Sequence, residues 1–223
     1  MPMSRAELID LLNQAVSLVE GRARMVYFQI TRGSGPRRHS FQEVKDNSTL
    51  MMTATTWDDD QSFIETGYQA ITLPDQRWLR CDIKTLNLIP NTWAATQAER
   101  AGVFAAIFHR FGLVTEGASY NIFMVKDGVV YTAPLSNLIL PGVSRKHLVQ
   151  YLPEIGLELR EEYFTLKQMM EADEVFLSST SHPVGPIVGI DGHPIANGKV
   201  GPITRQAYDA YWERVAAVCG PRE

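Results

Sequence analysis

Four short segments of the chain carry side chains that could do chemistry. Glu116 is a carboxylate that could act as a general base if burial raises its pKa. His182 follows a run of serine and threonine hydroxyls over residues 178–181 and is a second candidate base. Arg37 and His39 could together bind an anion, because a guanidinium offers a planar fork of donors. Ser144 follows a Leu-Pro-Gly-Val turn that is typical of a helix start, where free N–H groups attract anions.

Each of these residues also has a purely structural explanation. Ser144 is a good N-cap residue in its own right. Arg37 and His39 could form an exposed basic turn, and His182 could be a loop histidine before a proline. Glu116, taken alone, could be an ordinary surface carboxylate.

Short strands, helices and tight hairpins must position these segments. A capping box formed by Ser4 and Glu7 predicts the start of an amphipathic helix over residues 4–20. Apolar spacing predicts a long helix over residues 91–111. The mixture favours an α+β fold over a regular βαβ repeat. The other predicted helices cover residues 144–152, 165–172 and 201–218, and the predicted strands cover 25–31, 50–57, 69–73, 113–115, 121–126, 129–132, 157–163, 174–178 and 184–190.

Composition excludes several classes of protein. The 223 residues are 45% hydrophobic and 21% charged, which is typical of a globular chain and not of a disordered one. A net charge of −4 predicts neither a nucleic-acid partner nor an anionic membrane partner. Two cysteines, Cys81 and Cys219, form neither a disulfide framework nor a zinc-binding pattern. Without a signal peptide or an apolar run of spanning length, we expect a cytoplasmic protein.

Five segments in chain order carry recognisable motifs: residues 32–39, 80–95, 114–123, 140–145 and 176–181. Together they resemble the matching segments of the fold-type IV aminotransferases, which depend on pyridoxal phosphate (PLP). This family includes the D-amino-acid transaminases and the branched-chain aminotransferases. The resemblance extends from about residue 2 to residue 212 and implies the D-amino-acid-aminotransferase-like α+β fold.

The resemblance implies a role for each segment. Glu116 would contact the protonated pyridine nitrogen of PLP, which makes the ring an electron sink. Arg37 and His39 would trap the substrate α-carboxylate, and this pair indicates the D-amino-acid branch. The residues that would line the pocket and hold the phosphate and the ring are Ser119, Val143, Ser144, Ser179 and Thr180.

Two departures from the family pattern shape the expected activity. In the family, segment 80–95 ends on the lysine that holds PLP as a Schiff base, and we align that position with Ala95. Lys84 lies earlier in the same segment, where the resemblance implies a second lysine. The chain also begins inside the family's small domain, without the stretch that carries a phosphate-binding arginine. We therefore expect no tightly bound cofactor, with weak non-covalent PLP binding at most.

These observations leave three hypotheses about function. The first is a diverged protein whose pocket performs cofactor-independent chemistry, such as ester or phosphoester hydrolysis, with Glu116 and His182 as bases. The second is a D-amino-acid transaminase in an inactive, truncated form, and the third is a non-catalytic binding or scaffold protein. We expect a remnant of the small domain over residues 1–78 and a larger domain over residues 84–223. The expected partners are a small carboxylate or phosphate ligand and further copies of the chain, as a homodimer or higher homo-oligomer.

Overall fold

The computed structural model describes residues 3–21, 23–36, 39–40, 48–57 and 60–220. The chain divides into two compact units, Met1–Gln61 and Ser62–Glu223. The larger unit contains all of the later segments that the sequence analysis singled out, from residue 80 onward.

The smaller unit combines one helix with a pair of antiparallel strands. Helix α1 (Arg5–Ser17) begins with the predicted capping box, in which the Ser4 hydroxyl accepts from the Glu7 N–H at 3.3 Å. The Glu7 carboxylate in turn accepts from the Ser4 N–H at 2.7 Å. Strands β1 (Arg24–Thr31) and β2 (Thr49–Thr56) pair along their whole length. The predicted helix and both predicted strands are thereby confirmed.

A mixed nine-stranded sheet forms the centre of the larger unit. Eight strands lie in the order β5-β4-β3-β10-β9-β6-β7-β8, and β11 pairs with β10. Strand β3 is parallel to β4 and β10, β7 is parallel to β8, and the other neighbours are antiparallel. The α+β class is confirmed. The elements are α2 (Phe63–Thr66), β3 (Tyr68–Pro74), α3 (Ile89–Arg100), β4 (Ala105–Arg110), β5 (Leu113–Gly117), β6 (Asn121–Lys126), β7 (Val129–Thr132), α4 (Val143–Tyr151), β8 (Leu159–Glu161), α5 (Leu166–Met170), β9 (Glu174–Ser178), β10 (Gly185–Ile190), β11 (His193–Pro194) and α6 (Pro202–Cys219).

Both faces of this sheet are buried. Successive residues of a strand point to opposite faces, and the neighbouring strands β6 and β9 show this clearly. Phe123 and Phe176 stack 4.8 Å apart on the face that packs against α4 and α6. Ile122 and Leu177 lie on the other face, in a cluster that includes Met169 of α5. The sheet is therefore a rigid platform whose strand ends can hold a site.

The long helix predicted over residues 91–111 is wrong in its second half. Helix α3 ends at Arg100, and the apolar run after it forms strand β4. Gly102 has a φ of +70°, the left-handed conformation that ends many helices. The N–H of Gly102 donates to the Glu99 carbonyl and the N–H of Val103 donates to the Ala98 carbonyl, each at 3.0 Å. This pair of bonds is the Schellman motif, which redirects the chain into the sheet.

The boundary between the units lies earlier than the predicted one near residue 78. Strand β3 pairs with β4 from Ala70 to Pro74, and it also pairs with β10. This segment therefore belongs to the large sheet, and the division falls between Gln61 and Ser62.

The longest helix in the described part of the chain is α6, with 18 residues. Its solvent-facing positions include Arg205, Asp209, Glu213 and Arg214. Among the described residues, no helix combines the length and the apolar character that crossing a membrane requires.

Candidate active site

Glu116 is a buried carboxylate at the end of β5, with 4% of its surface exposed. Its Oε2 accepts a hydrogen bond from Asn121 Nδ2 at 3.1 Å and another from the Leu140 N–H at 2.9 Å. Its Oε1 accepts from Arg77 Nη1 at 2.6 Å. Three donors from three different segments therefore fix this carboxylate in one orientation.

A tight turn between β5 and β6 brings Glu116 and Asn121 together. The Gly117 N–H donates to the Tyr120 carbonyl at 2.7 Å. A Cβ atom at residue 117 would overlap the Tyr120 ring, so only glycine fits here. The Tyr120 hydroxyl in turn accepts from the Ala106 N–H at 2.8 Å, which anchors the turn to β4.

Arg77 lies between two carboxylates. Its Nε and Nη2 donate to the two oxygens of Asp75, each at 2.9 Å, while Nη1 reaches Glu116. Arg110 Nε lies 3.3 Å from Asp75 Oδ2. The sequence analysis missed Asp75 and Arg77, although an Asp-x-Arg pattern directly after a strand was a signal that could have found them.

The pKa values of the two carboxylates diverge. Burial raises the pKa of Glu116 to about 7, in spite of the opposing charge and hydrogen bonds of Arg77. Burial alone would also raise the pKa of Asp75, but the hydrogen bonds and charge of Arg77 outweigh it and hold that pKa below its usual value. Asp75 is therefore the ionised partner of Arg77 over the whole neutral range, whereas Glu116 titrates near neutrality.

The N-terminus of α4 lies next to the same network. Gly142 precedes the helix, and a Cβ atom there would overlap Asn121 Oδ1. The Ser144 hydroxyl donates to the Ser179 carbonyl at 2.8 Å, in the loop after β9. Gly142 is the N-cap residue, so Ser144 does not cap the helix but joins it to that loop.

The predicted pocket residues therefore separate into two groups. Hydrogen bonds join Glu116 to Asn121 and Leu140, and the Gly142 N–H at the start of α4 donates to the Leu140 carbonyl. Ser144, two residues further along the chain, donates to the loop after β9, so hydrogen bonds and a short stretch of chain together form one line. Glu116, Ser144 and Ser179 belong to this line. Val143, Ser119 and Thr180 lie beside it with exposed side chains.

His182 is packed among aromatic rings. Its ring centroid lies 5.0–5.5 Å from those of Phe63, Tyr68 and Phe104, and its Nδ1 lies 3.1 Å from the Ser181 hydroxyl. Burial lowers the pKa of His182, which favours the neutral ring. None of its described contacts involves Glu116, so the pair of bases expected for hydrolysis is not assembled.

Ala95 requires a correction. It is exposed on α3, whereas its neighbours Ala94 and Ala98 are buried. The residue of α3 that reaches the Glu116 turn is Asn91, whose Nδ2 donates to the Ala118 carbonyl at 2.7 Å. Because residue 95 faces solvent, a lysine at this position would not point toward Glu116. The alanine is therefore no evidence that the chain lacks a cofactor-binding lysine.

The expected anion clamp falls outside this part of the structure. Arg37 lies outside the described residues. His39 is exposed and belongs to the smaller unit. The clamp therefore stays a prediction.

Comparison with known families assigns the class of protein. The model of the family described as amino-transferase class IV matches residues 1–190. The chain therefore belongs to this family, the fold-type IV aminotransferases.

Individual proteins of known name show which members of the family this chain resembles. A D-alanine aminotransferase of Staphylococcus haemolyticus is 42% identical over 205 residues, which cover 92% of this chain and 73% of that enzyme. The structure of a branched-chain amino acid aminotransferase of Escherichia coli matches with a TM-score of 0.77 at 25% identity and covers 96% of this chain and 72% of that one. The corresponding enzyme of Thermobaculum terrenum, in its PLP form, matches with a TM-score of 0.71 at 27% identity and covers 86% of this chain and 64% of that one.

These comparisons overturn one expectation. The sequence analysis expected no tightly bound cofactor, on the grounds that Ala95 stands where the lysine was aligned and that the stretch with the phosphate-binding arginine is missing. The chain instead falls among aminotransferases, and a structural neighbour is a PLP-bound holoenzyme. The findings point to PLP as the cofactor.

Proposed function

We propose that this protein is a PLP-dependent aminotransferase that acts on D-amino acids, with D-alanine as the first candidate substrate. The observation that carries the proposal is this line, in which hydrogen bonds and the short segment from Leu140 to Ser144 connect the Glu116 carboxylate to the N-terminus of α4. The likeness to D-alanine aminotransferases at 42% identity supports the choice of substrate.

The residues along this line offer suitable partners for two parts of PLP, its phosphate and its ring nitrogen. A phosphate would lie at the first turn of α4 and the loop of Ser179, because the N–H groups of a helix start favour an anion. The side chain of Glu116 would face the ring nitrogen. When bound, PLP supplies an electron sink that stabilises negative charge beside an amino group.

Side chains of this protein would control whether the ring nitrogen of PLP is protonated. Glu116 in its ionised form would hold a proton at the ring nitrogen, because a carboxylate and a pyridinium attract each other strongly in a buried site. Asn121 and the Leu140 N–H fix the Oε2 atom, so the carboxylate does not rotate away. A positive ring beside Glu116 would also lower the pKa of the carboxyl from its raised value, since the opposite charge favours the ionised form.

Lys84 is our candidate for the amine that holds the cofactor. It lies in the loop before α3 that also contributes Arg77 and Cys81. Cys81 is buried, its N–H donates to the Asn137 carbonyl at 2.9 Å, and its thiol lies close enough to sense the charge of Glu116. Lys84 follows three residues later and is exposed.

The other described lysines have less suitable positions. Lys126 is paired with Asp173 at 3.1 Å, at the opposite end of β6 from Asn121. Lys167 lies on α5 beside Glu171. Lys146 lies on α4 and Lys199 in the turn before α6, whereas Lys84 lies in the segment that also carries Arg77, the partner of Glu116.

The proposal is tested by adding PLP, D-alanine and a 2-oxo acid to the purified chain and measuring the pyruvate that forms. We expect turnover with D-alanine, far less with L-alanine, and none in Lys84→Ala. Lys167→Ala removes an exposed lysine outside the site and serves as the matched control. No pyruvate above the Lys84→Ala background, with either enantiomer at saturating PLP, would contradict the proposal.

A further inference from the structure

Asp75 is a buried carboxylate that the proposed reaction does not use directly. Its side chain has no exposed surface. Its Oδ1 accepts from the Arg77 N–H at 3.0 Å and from Arg77 Nε at 2.9 Å. Its Oδ2 accepts from Arg77 Nη2 at 2.9 Å, from the Thr115 hydroxyl at 3.2 Å and from Arg110 Nε at 3.3 Å. Five hydrogen bonds to one buried carboxylate indicate that the surrounding residues hold Asp75 in a specific position.

We propose that Asp75 is a positioning residue for Glu116, acting through the guanidinium of Arg77. This inference rests on the proposed function, because it concerns how Glu116 holds a proton at the ring nitrogen of PLP.

The geometry of Arg77 is the first support. Asp75 binds one edge of the guanidinium in a bidentate pair, and the Phe108 ring lies 4.6 Å from its central carbon. These contacts leave Nη1 directed at Glu116, at 2.6 Å. Bidentate pairing fixes both the place and the plane of a guanidinium, which a single contact does not.

The balance of charge is the second support. The charged or titratable groups of this network include Arg77 beside Glu116, Asp75 beside Arg77, Arg110 beside Asp75, and the thiol of Cys81. Asp75 and Glu116 together match the charges of Arg77 and Arg110. Without the charge of Asp75, Arg77 would be neutralised by Glu116 alone and would compete with the ring nitrogen for this carboxylate. Asp75 thus shares the charge of Arg77 and leaves Glu116 free to hold the ring proton.

The test measures the protonation of the ring nitrogen in the PLP-loaded chain. Absorbance of the bound cofactor is followed as a function of pH, and PLP retention is followed by dialysis. In Asp75→Asn we expect the ring nitrogen to lose its proton at a pH lower by about one unit, because the substitution removes a nearby negative charge that favours the protonated ring. We expect Asp75→Glu, which keeps the charge, to restore most of the difference.

Asp82→Asn is the matched control. Asp82 forms the same bidentate pair with an arginine two residues away, Arg80, but on the surface. We expect its transition to coincide with that of the wild type. If Asp75→Asn does not fold, Arg77→Lys tests the same point, because a lysine does not hold both carboxylates in a fixed plane, and the transition is again expected at lower pH.

The outcomes separate this inference from the proposed function. A wild type that retains PLP, with Asp75→Asn or Arg77→Lys titrating as the wild type does, overturns the role of Asp75 and leaves the proposed function standing. A wild type that retains no PLP and forms no pyruvate from D-alanine overturns both.

Discussion

Replacing Glu116 by glutamine isolates the energetic consequence of burying this carboxyl group. The pKa of Glu116 rises from an ordinary 4.5 to about 7 in the folded protein without cofactor. The folded state therefore binds the proton more tightly than the unfolded state does. The stabilisation from this group is fully present below pH 4.5 and is lost as the pH rises through 7.

The size of the effect follows from the shift. One pKa unit corresponds to about 1.4 kcal/mol, so the whole shift corresponds to about 3 kcal/mol. Most of this falls between about pH 5 and about pH 8. Glutamine resembles the protonated acid and does not titrate. We therefore expect the stability of Glu116→Gln, relative to the wild type, to increase by roughly 2–3 kcal/mol over this range.

Urea titrations of the cofactor-free proteins at the two pH values measure this difference. Burial lowers the pKa of His182, so the folded state binds this proton less tightly than the unfolded state does. The contribution of His182 to stability therefore rises with pH, opposite to that of Glu116. Both proteins contain His182, so its contribution cancels on subtraction. Glu99→Gln, at an exposed position on α3, is the control and should show no such change. If the wild type and Glu116→Gln differ by the same amount at both pH values, the burial argument is refuted.

Two further substitutions test the hydrogen bond between α4 and the loop after β9, and the C-terminal end of α3. Ser144→Ala removes the hydroxyl that donates to the Ser179 carbonyl, and loss of about 1 kcal/mol predicts roughly fivefold weaker PLP binding in a dialysis titration. Ser17→Ala, which removes a similar bond to the Gln14 carbonyl in α1, is the control, and an equal effect of both changes would contradict the assignment. Gly102→Ala should lower the free energy of unfolding by about 1 kcal/mol, because an alanine is strained at a φ of +70°. Gly102→Asn should cost less, since asparagine tolerates this conformation, and identical urea midpoints for all three proteins would argue against the Schellman motif.

Local signals in the sequence predicted much of the fold. Strands β6, β7 and β9 begin and end at the predicted residues. The hairpin between β6 and β7 has Asp127 and Gly128 at φ values of 50° and 79°, as its Asp-Gly sequence predicts. The segment after Gly102 could not be assigned this way, because β4 lies between β5 and the distant β3 in the sheet, and its parallel pairing with β3 leaves no local signal in the sequence. An apolar run of that length suits a helix or a buried strand equally well.

The site was predictable to a smaller extent. The resemblance selected Glu116, Ser144 and Ser179, and in the structure these three are connected by hydrogen bonds together with the chain segment from Leu140 to Ser144. Asp75 and Arg77 were missed because their relation to Glu116 depends on the order of strands β3, β4 and β5 in the sheet. Ala95 was selected by counting along a segment, without asking which face of α3 it occupies. The cytoplasmic location and the homodimer stay predictions.

The most direct test of the account is the identity of the residue that holds the cofactor. The purified chain is loaded with PLP, reduced with borohydride to fix the cofactor to its amine, digested, and mapped by mass spectrometry. We predict that the phosphopyridoxyl mass lies on the peptide that contains Lys84. A label on any other lysine, or no label on a correctly folded chain, would contradict the account.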